Sequence, residues 1–180
     1  MAENEQTVQA APAGSAIQAE VAKIRSASAD AILSVEEYPE TGMYWINVRP
    51  RSLVQVARVL QGDKSLAYTL LCDMTCVDRP ETEKRFNLVY NFFSVTRNKR
   101  VFVRVRVGEG EAAPTLSGVF ASANWAEREV YDLFGVLFEG HPDLRRIMLP
   151  DDWQGYPLRK DYPTVGKRPV ILFNDVTDVL

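Results

Sequence analysis

The chain has 180 residues, 46% of them apolar and 25% charged, which is the usage of one packed globular domain with extensions rather than of a disordered or fibrous chain. With 21 basic against 24 acidic side chains, a net charge of -3 gives no general attraction to nucleic acid or anionic lipid. No apolar run approaches the roughly 18 residues a membrane helix needs, and the N-terminus MAENEQTVQAAPAGSA lacks the basic start and apolar stretch of a secretory signal. A cytoplasmic protein that meets a membrane only peripherally is expected.

Residues 1–14 carry no periodicity and read as disordered. A first helix is predicted from a capping box of Ser15 and Gln18, burying Ile17, Val21 and Ile24. Strands around Ala31 to Val35 and Met43 to Val48, parted by Pro39, Thr41 and Gly42, read as a hairpin. A second helix opens on Ser52 and Gln55 as another capping box, presents Leu53, Val56, Ala57 and Leu60, and stops at Gly62. Three strands follow, over residues 66–77, 85–95 and 100–107. In the last, Val101, Val103, Val105 and Val107 share one face and Phe102, Arg104 and Arg106 the other. A third helix spans Trp125 to Phe134, with Asn124 as N-cap and Gly135 as its stop. The order α-β-β-α-β-β-β-α, with short connections, predicts an α+β fold whose sheet is mostly antiparallel and carries helices on a face.

Cys72 and Cys76 fall on one predicted strand, where they stand roughly 13 Å apart, too far for a disulfide. Both are expected to be reduced, buried thiols. Two cysteines and a single histidine, His141, do not supply the donors of a conventional iron–sulfur cluster or a histidine-rich metal site. After residue 140, prolines at 142, 150, 157, 163 and 169 exclude helix or central strand. The expected division is therefore a disordered segment over 1–14, an α+β domain over 15–140, and an extended tail over 141–180. That tail is rich in apolar anchors, including Trp153 and Tyr156, which suit a protein partner.

The densest stretch is NWAEREVYDLFGVLFEGHPDLRRIMLPDDWQGYPLRKDYP, from Asn124 to Pro163. It resembles the signature of the 30 kDa (NuoC) subunit family of NADH-quinone oxidoreductase, respiratory complex I. The family's E-R-E, two residues, D and an apolar pair match Glu127, Arg128, Glu129, Asp132, Leu133 and Phe134, and His141 follows at the family's distance. The resemblance implies a non-catalytic member of the peripheral arm, on the cytoplasmic side of the membrane. It would hold no cofactor itself, with FMN and iron–sulfur clusters in partner subunits, and its tail would lie along the D subunit of the complex. A related subunit of a membrane-bound hydrogenase or dehydrogenase, and a general binding adaptor, are the alternatives.

Glu127, Glu129 and Asp132 could suggest acid–base catalysis, but no substrate pocket is indicated. A plainer reading pairs Arg128 with Asp132 at i and i+4 and sets Glu127 at the helix N-terminus. The preferred reading has the three carboxylates receive Arg145 or Arg146 and so dock the start of the tail. His141 reads as a turn or hydrogen-bonding residue. Arg159, Lys160 and Asp161 read equally as ion pairs to a partner or as a solvated loop. Arg97, Lys99, Arg100, Arg104 and Arg106 beside Phe92 and Phe93 could serve RNA, which the acidic total and Glu81, Glu83, Glu109 and Glu111 oppose; no nucleic-acid partner is expected.

Overall fold

The computed structural model describes residues 17–38, 40, 41 and 43–164. Its elements are α1 (Gln18–Ala27), β1 (Ile32–Tyr38), β2 (Met43–Val48), α2 (Leu53–Gly62), β3 (Leu70–Asp78), β4 (Phe86–Ser94), β5 (Lys99–Val107), β6 (Ala112–Pro114), α3 (Ala123–Phe134) and β7 (Leu137–Glu139). A one-turn 3-10 helix, Pro50–Ser52, leads into α2. The α-β-β-α-β-β-β-α order holds. The three-residue strands β6 and β7, too short to show an alternating pattern, add a small parallel ribbon. The expected segments at 1–14 and beyond Thr164, the capping residue Ser15, and Pro39 and Gly42 lie outside the described residues.

The main sheet runs β1-β2-β5-β4-β3. Three of its pairings are antiparallel, as the short connections require, and β1–β2 is the expected hairpin. The pairing of β2 with β5 is parallel, with Ile46 opposite Val103. This neighbourhood is not local in sequence: α2 carries the chain across to the far edge at β3, and β4 and β5 return to fill the centre.

Alternation decides which face is dry. Val101, Val103, Val105 and Val107 are fully buried, beside Phe86, Leu88, Tyr90 and Phe92 of β4. The same core takes Leu53, Val56, Ala57 and Leu60 from α2 and Ile17 and Ile24 from the α1 end. Each large side chain so buried contributes roughly 1.5–3 kcal/mol relative to exposure. The opposite face of the sheet carries Trp45, Asn47, Phe102, Arg104 and Arg106, and no described helix packs on it. At the end of the core Glu20 is fully buried, accepting hydrogen bonds from Tyr68 Oη at 2.8 Å, Arg97 at 2.8 Å and Lys99 at 2.9 Å. Burial alone would raise its carboxyl, but Lys99, a backbone N–H and Tyr68 outweigh that and hold it below the usual range. Two cations of the basic set are thus consumed internally.

Several local expectations are corrected. Ser52 makes no side-chain cap, because the 3-10 turn gives it near-helical angles (φ -97°, ψ -4°) instead of the extended ones a capping box needs. Gln55 donates to Ala27 O at 2.7 Å, joining α2 to the end of α1. Asn124 lies inside α3, which begins at Ala123 because a preceding turn already holds the N–H groups of Ala123 and Asn124. The third strand starts at Leu70, after a turn in which Ala67 takes a positive φ of 46°. Cys76 is buried as expected, and burial pushes its thiol up to about 12, so it is unreactive. Cys72 is exposed, since an irregularity in the β3–β4 register between Leu71 and Asp73 takes it out of the core alternation.

Gly135 stops α3 as predicted, in the left-handed region at φ 74°, with its N–H on Tyr131 O at 2.8 Å. A second constraint acts there: a Cβ at 135 would collide with the ring of Tyr156. Substituting Gly135→Ala is therefore expected to cost at least about 2 kcal/mol, combining left-handed strain with the clash. A urea-unfolding midpoint within error of the parent would contradict this.

Candidate functional site

The residues of the Asn124–Pro163 stretch come together on α3 and on the segment that follows it. Residues 142–162, proline-bounded and without regular structure, form a strap across the helix and the adjoining end of the sheet. The segment expected to leave the domain at residue 141 thus lies, as far as it is described, on its own domain.

Its first anchor is Asp132, whose carboxylate is fully buried. Oδ2 accepts three successive backbone N–H groups, from Ile147 at 3.0 Å, Met148 at 2.7 Å and Leu149 at 2.9 Å. Oδ1 accepts Arg146 Nη1 at 2.6 Å, and the same guanidinium reaches the carbonyl oxygens of Asp132 and Gly155. Burial works to raise this carboxyl, but the N–H groups of Leu149, Met148 and Ile147 and the Arg146 cation win, and it sits below the usual carboxylate range. Its contribution to stability is present above the unfolded-state value and is lost as pH falls through the depressed folded value.

The preferred docking of the tail by α3 carboxylates thus takes place, but through one of the three. Arg146 is the arginine received; Arg145 pairs locally with Asp143 at 2.8 Å. Glu129 is exposed. Arg128 does not pair with Asp132. It lies over Trp125 at 5.0 Å and donates to the carbonyls of Arg145 and Arg146, both at 3.2 Å. Glu127 faces inward, not toward the helix end, accepting Leu116 N–H at 2.6 Å and the Thr115 hydroxyl. Burial raises its carboxyl above the ordinary value of 4.5, against the lowering effect of those two donors. His141 is a hydrogen-bonding residue, as expected: Nε2 meets Asn124 O at 3.1 Å and Nδ1 accepts Asp143 N–H at 3.1 Å, an arrangement the neutral Nε2–H tautomer satisfies.

The second anchor is aromatic. Tyr156 fills the space left by the missing side chain of Gly135, stands edge-on to Tyr131 at 6.4 Å, and is flanked by the guanidinium groups of Arg146 at 5.4 Å and Arg159 at 4.6 Å. Trp153 is half-buried and closes a turn by its N–H on Pro150 O at 3.0 Å. The third anchor is polar, with the side chains of Arg159 and Asp161 and the backbone N–H of Lys160 binding the chain's own domain. Arg159 donates to Phe134 O at 2.5 Å and Glu109 at 2.8 Å and lies over Phe86. The Lys160 N–H meets Asp78 Oδ2 at 2.7 Å. Asp161 receives Arg85 at 2.7 Å.

Arg85 and Asp78, a fork-to-fork pair at 2.6 and 2.9 Å, are the residues that sequence reasoning missed. A signal was present: Asp78 continues the core-facing phase of Met74 and Cys76 on β3, and a carboxylate in that phase needs a buried cation. Among the described residues no cluster of three or more His, Cys, Asp or Glu side chains could hold a metal ion. No described helix is long and apolar enough to cross a membrane.

The α+β domain has a counterpart among solved structures. The solved trypsin-resistant fragment of Nqo5 has a TM-score of 0.57 and 31% identity, covering 71% of this chain and 98% of that one. Residues 46–168 match the family described as "Respiratory-chain NADH dehydrogenase, 30 Kd subunit", and the chain belongs to that family. The corresponding NADH-quinone oxidoreductase subunit of Ruegeria pomeroyi is 49% identical over 121 residues, which are 67% of this chain and 60% of that protein. Its counterpart in Geotalea uraniireducens is 45% identical over 147 residues, 81% of this chain and 87% of its own length.

Two outcomes test the site. Asp132→Asn removes the charge that gathers three N–H groups and Arg146, and breaking such a buried pair costs roughly 3–5 kcal/mol. The strap should then become cleavable by trypsin at Arg145 and Arg146 under conditions where the parent resists, and equal digestion rates would refute the anchoring role. Glu127, with a raised folded-state value, favours the native state increasingly as pH falls from neutrality toward the unfolded value near 4.5. Glu127→Gln should abolish that component, so the parent gains on the variant between pH 7 and 5. Urea midpoints that run parallel across this range would exclude it.

Proposed function

We propose that this chain is a non-catalytic structural subunit of the peripheral arm of a proton-translocating NADH:quinone oxidoreductase, seated on the cytoplasmic side of the membrane. It supports electron transfer from NADH through FMN and iron–sulfur clusters to quinone by docking the D subunit of that complex, and the flavin and clusters reside in partner subunits. Family membership supplies the complex. The observation that carries the docking role is the strap: its inner side is fixed by buried polar contacts, while large apolar groups stay outward on the same part of the molecule. Trp125 of α3 is 64% exposed, Leu137 of β7 46%, and Met148 and Leu158 of the strap 63% and 51%. Large apolar side chains left in water on rigid supports suit a protein partner. The ordered strap contributes because a surface already fixed loses little entropy on binding.

The test is mild-detergent extraction with a tag on this chain, followed by a native gel stained for NADH dehydrogenase activity. Migration in a large, active, flavin-containing band is expected. The double substitution Met148→Asp and Leu158→Asp should reduce recovery of this chain in that band about tenfold, since an unpaired carboxylate would be buried at each point. A large band without NADH activity would instead identify a related membrane-bound dehydrogenase or hydrogenase, and migration of the parent alone would refute the proposal.

A further inference from the structure

The sheet face opposite the core has an internal order that neither the fold nor the strap explains. Strand register sets its residues in rows. Val77, Asn87 and Arg106 lie side by side across β3, β4 and β5. Thr75, Val89, Arg104, Asn47 and Ser34 form the next row across all five strands. In that second row, charge is satisfied internally: Arg104 pairs with Glu36 at 3.1 Å, bonds Asn47 and lies over Trp45, which is stacked on Phe102.

The first row is different. Arg106 is exposed, as is Arg79, which lines the same depressions beside Asn87, and neither has an acidic partner among the described residues. Asn87 is only 6% exposed, yet its side-chain oxygen accepts no hydrogen bond from the described residues. Asn91, farther along β4 in the same phase, also has a buried side-chain oxygen without a donor among the described residues. Buried amide oxygens of this kind are costly unless a donor arrives from outside. Exposed Val77 and half-buried Val89 supply apolar contact between these polar groups.

We infer that this row is a docking groove for an acidic segment of a neighbouring subunit, which places carboxylates on Arg79 and Arg106 and donates an N–H or hydroxyl to Asn87. The inference rests on the multi-subunit reading above and assigns a second, electrostatic contact on a different face from the strap. Charge complementarity and the waiting acceptor select the occupant. A polyanion is disfavoured, because Arg104 is already neutralised, Glu81 and Glu83 stand in the turn beside Arg79, and the Trp45 ring is already engaged by Phe102 and Arg104. A protein segment meets two cations, one acceptor and two valines with matched groups.

The experiment uses the full chain within the detergent-extracted complex. With Val77 replaced by the photoreactive p-benzoylphenylalanine, irradiation should join this chain to another polypeptide of the assembly, within a segment carrying at least two Asp or Glu residues. The pair Arg79→Glu and Arg106→Glu should lower recovery of that polypeptide with the tagged chain about tenfold at low salt. Arg79→Lys with Arg106→Lys should retain it, and thermal melting of the purified variants should match the parent. An adduct to lipid, to nucleic acid or to residues 165–180 of this chain, or no adduct, would overturn the inference. Should the charge-reversed chain be recovered in the complex as well as the parent, this groove is not a contact while the multi-subunit reading stands. A parent chain that emerges alone removes both.

Discussion

The Asp132 carboxylate is the constraint on which the surface of this protein depends. A fully buried anion near the end of a helix is tolerated only when its hydrogen-bonding capacity is filled. Here it is filled almost wholly by one short run of chain, Arg146 to Leu149. That requirement brings the chain back across α3. The turn at Gly135 then leaves room for Tyr156, and the position of Tyr156 lets Arg159 and Asp161 reach Phe134, Glu109 and Arg85. Remove the charge and each later contact loses the geometry that makes it possible.

The buried carboxylates divide by what faces them. Glu20 and Asp132 meet cations, are held below the ordinary range and favour the native state at neutral pH. Glu127 meets the Leu116 N–H and the Thr115 hydroxyl, and burial holds its carboxyl above that range. The contrast is between partners, since all three are fully buried. In such a mixture the ion-paired sites lose their contribution as pH falls, while Glu127 works in the opposite sense.

Much of this was legible in the residues. Alternation at Val101 to Val107 and the apolar stripe of α2 placed the core correctly, because burial on one face leaves a strong periodic trace. Gly135 as a helix stop and Asp132 as a receiver of Arg146 were also readable. What was not readable depended on distant partners. The parallel pairing of β2 and β5 follows from the path taken through α2 and β3, which adjacency in sequence does not encode. Capping at Ser52 and Asn124 failed because preceding turns had already occupied the helix-start donors. The strap's inward ion pairs escaped for the same reason: Arg159 and Asp161 look alike whether their partner is Glu109, Arg85, a neighbouring protein or water.

The parallel contact between β2 and β5 bears on how the chain acquires its shape during synthesis. The β1–β2 hairpin emerges early, but one long side of β2 has no neighbour until β5 has left the ribosome. Until then β2 offers unsatisfied backbone groups beside Trp45 and Ile46, a surface to which another nascent chain could attach. Closing the sheet must also hold two distant stretches together before any reward is collected, which slows such topologies relative to helical bundles. The central strand is therefore the last piece of the sheet to be laid. The interval before it arrives is when the growing polypeptide is most exposed to aggregation and most in need of a chaperone.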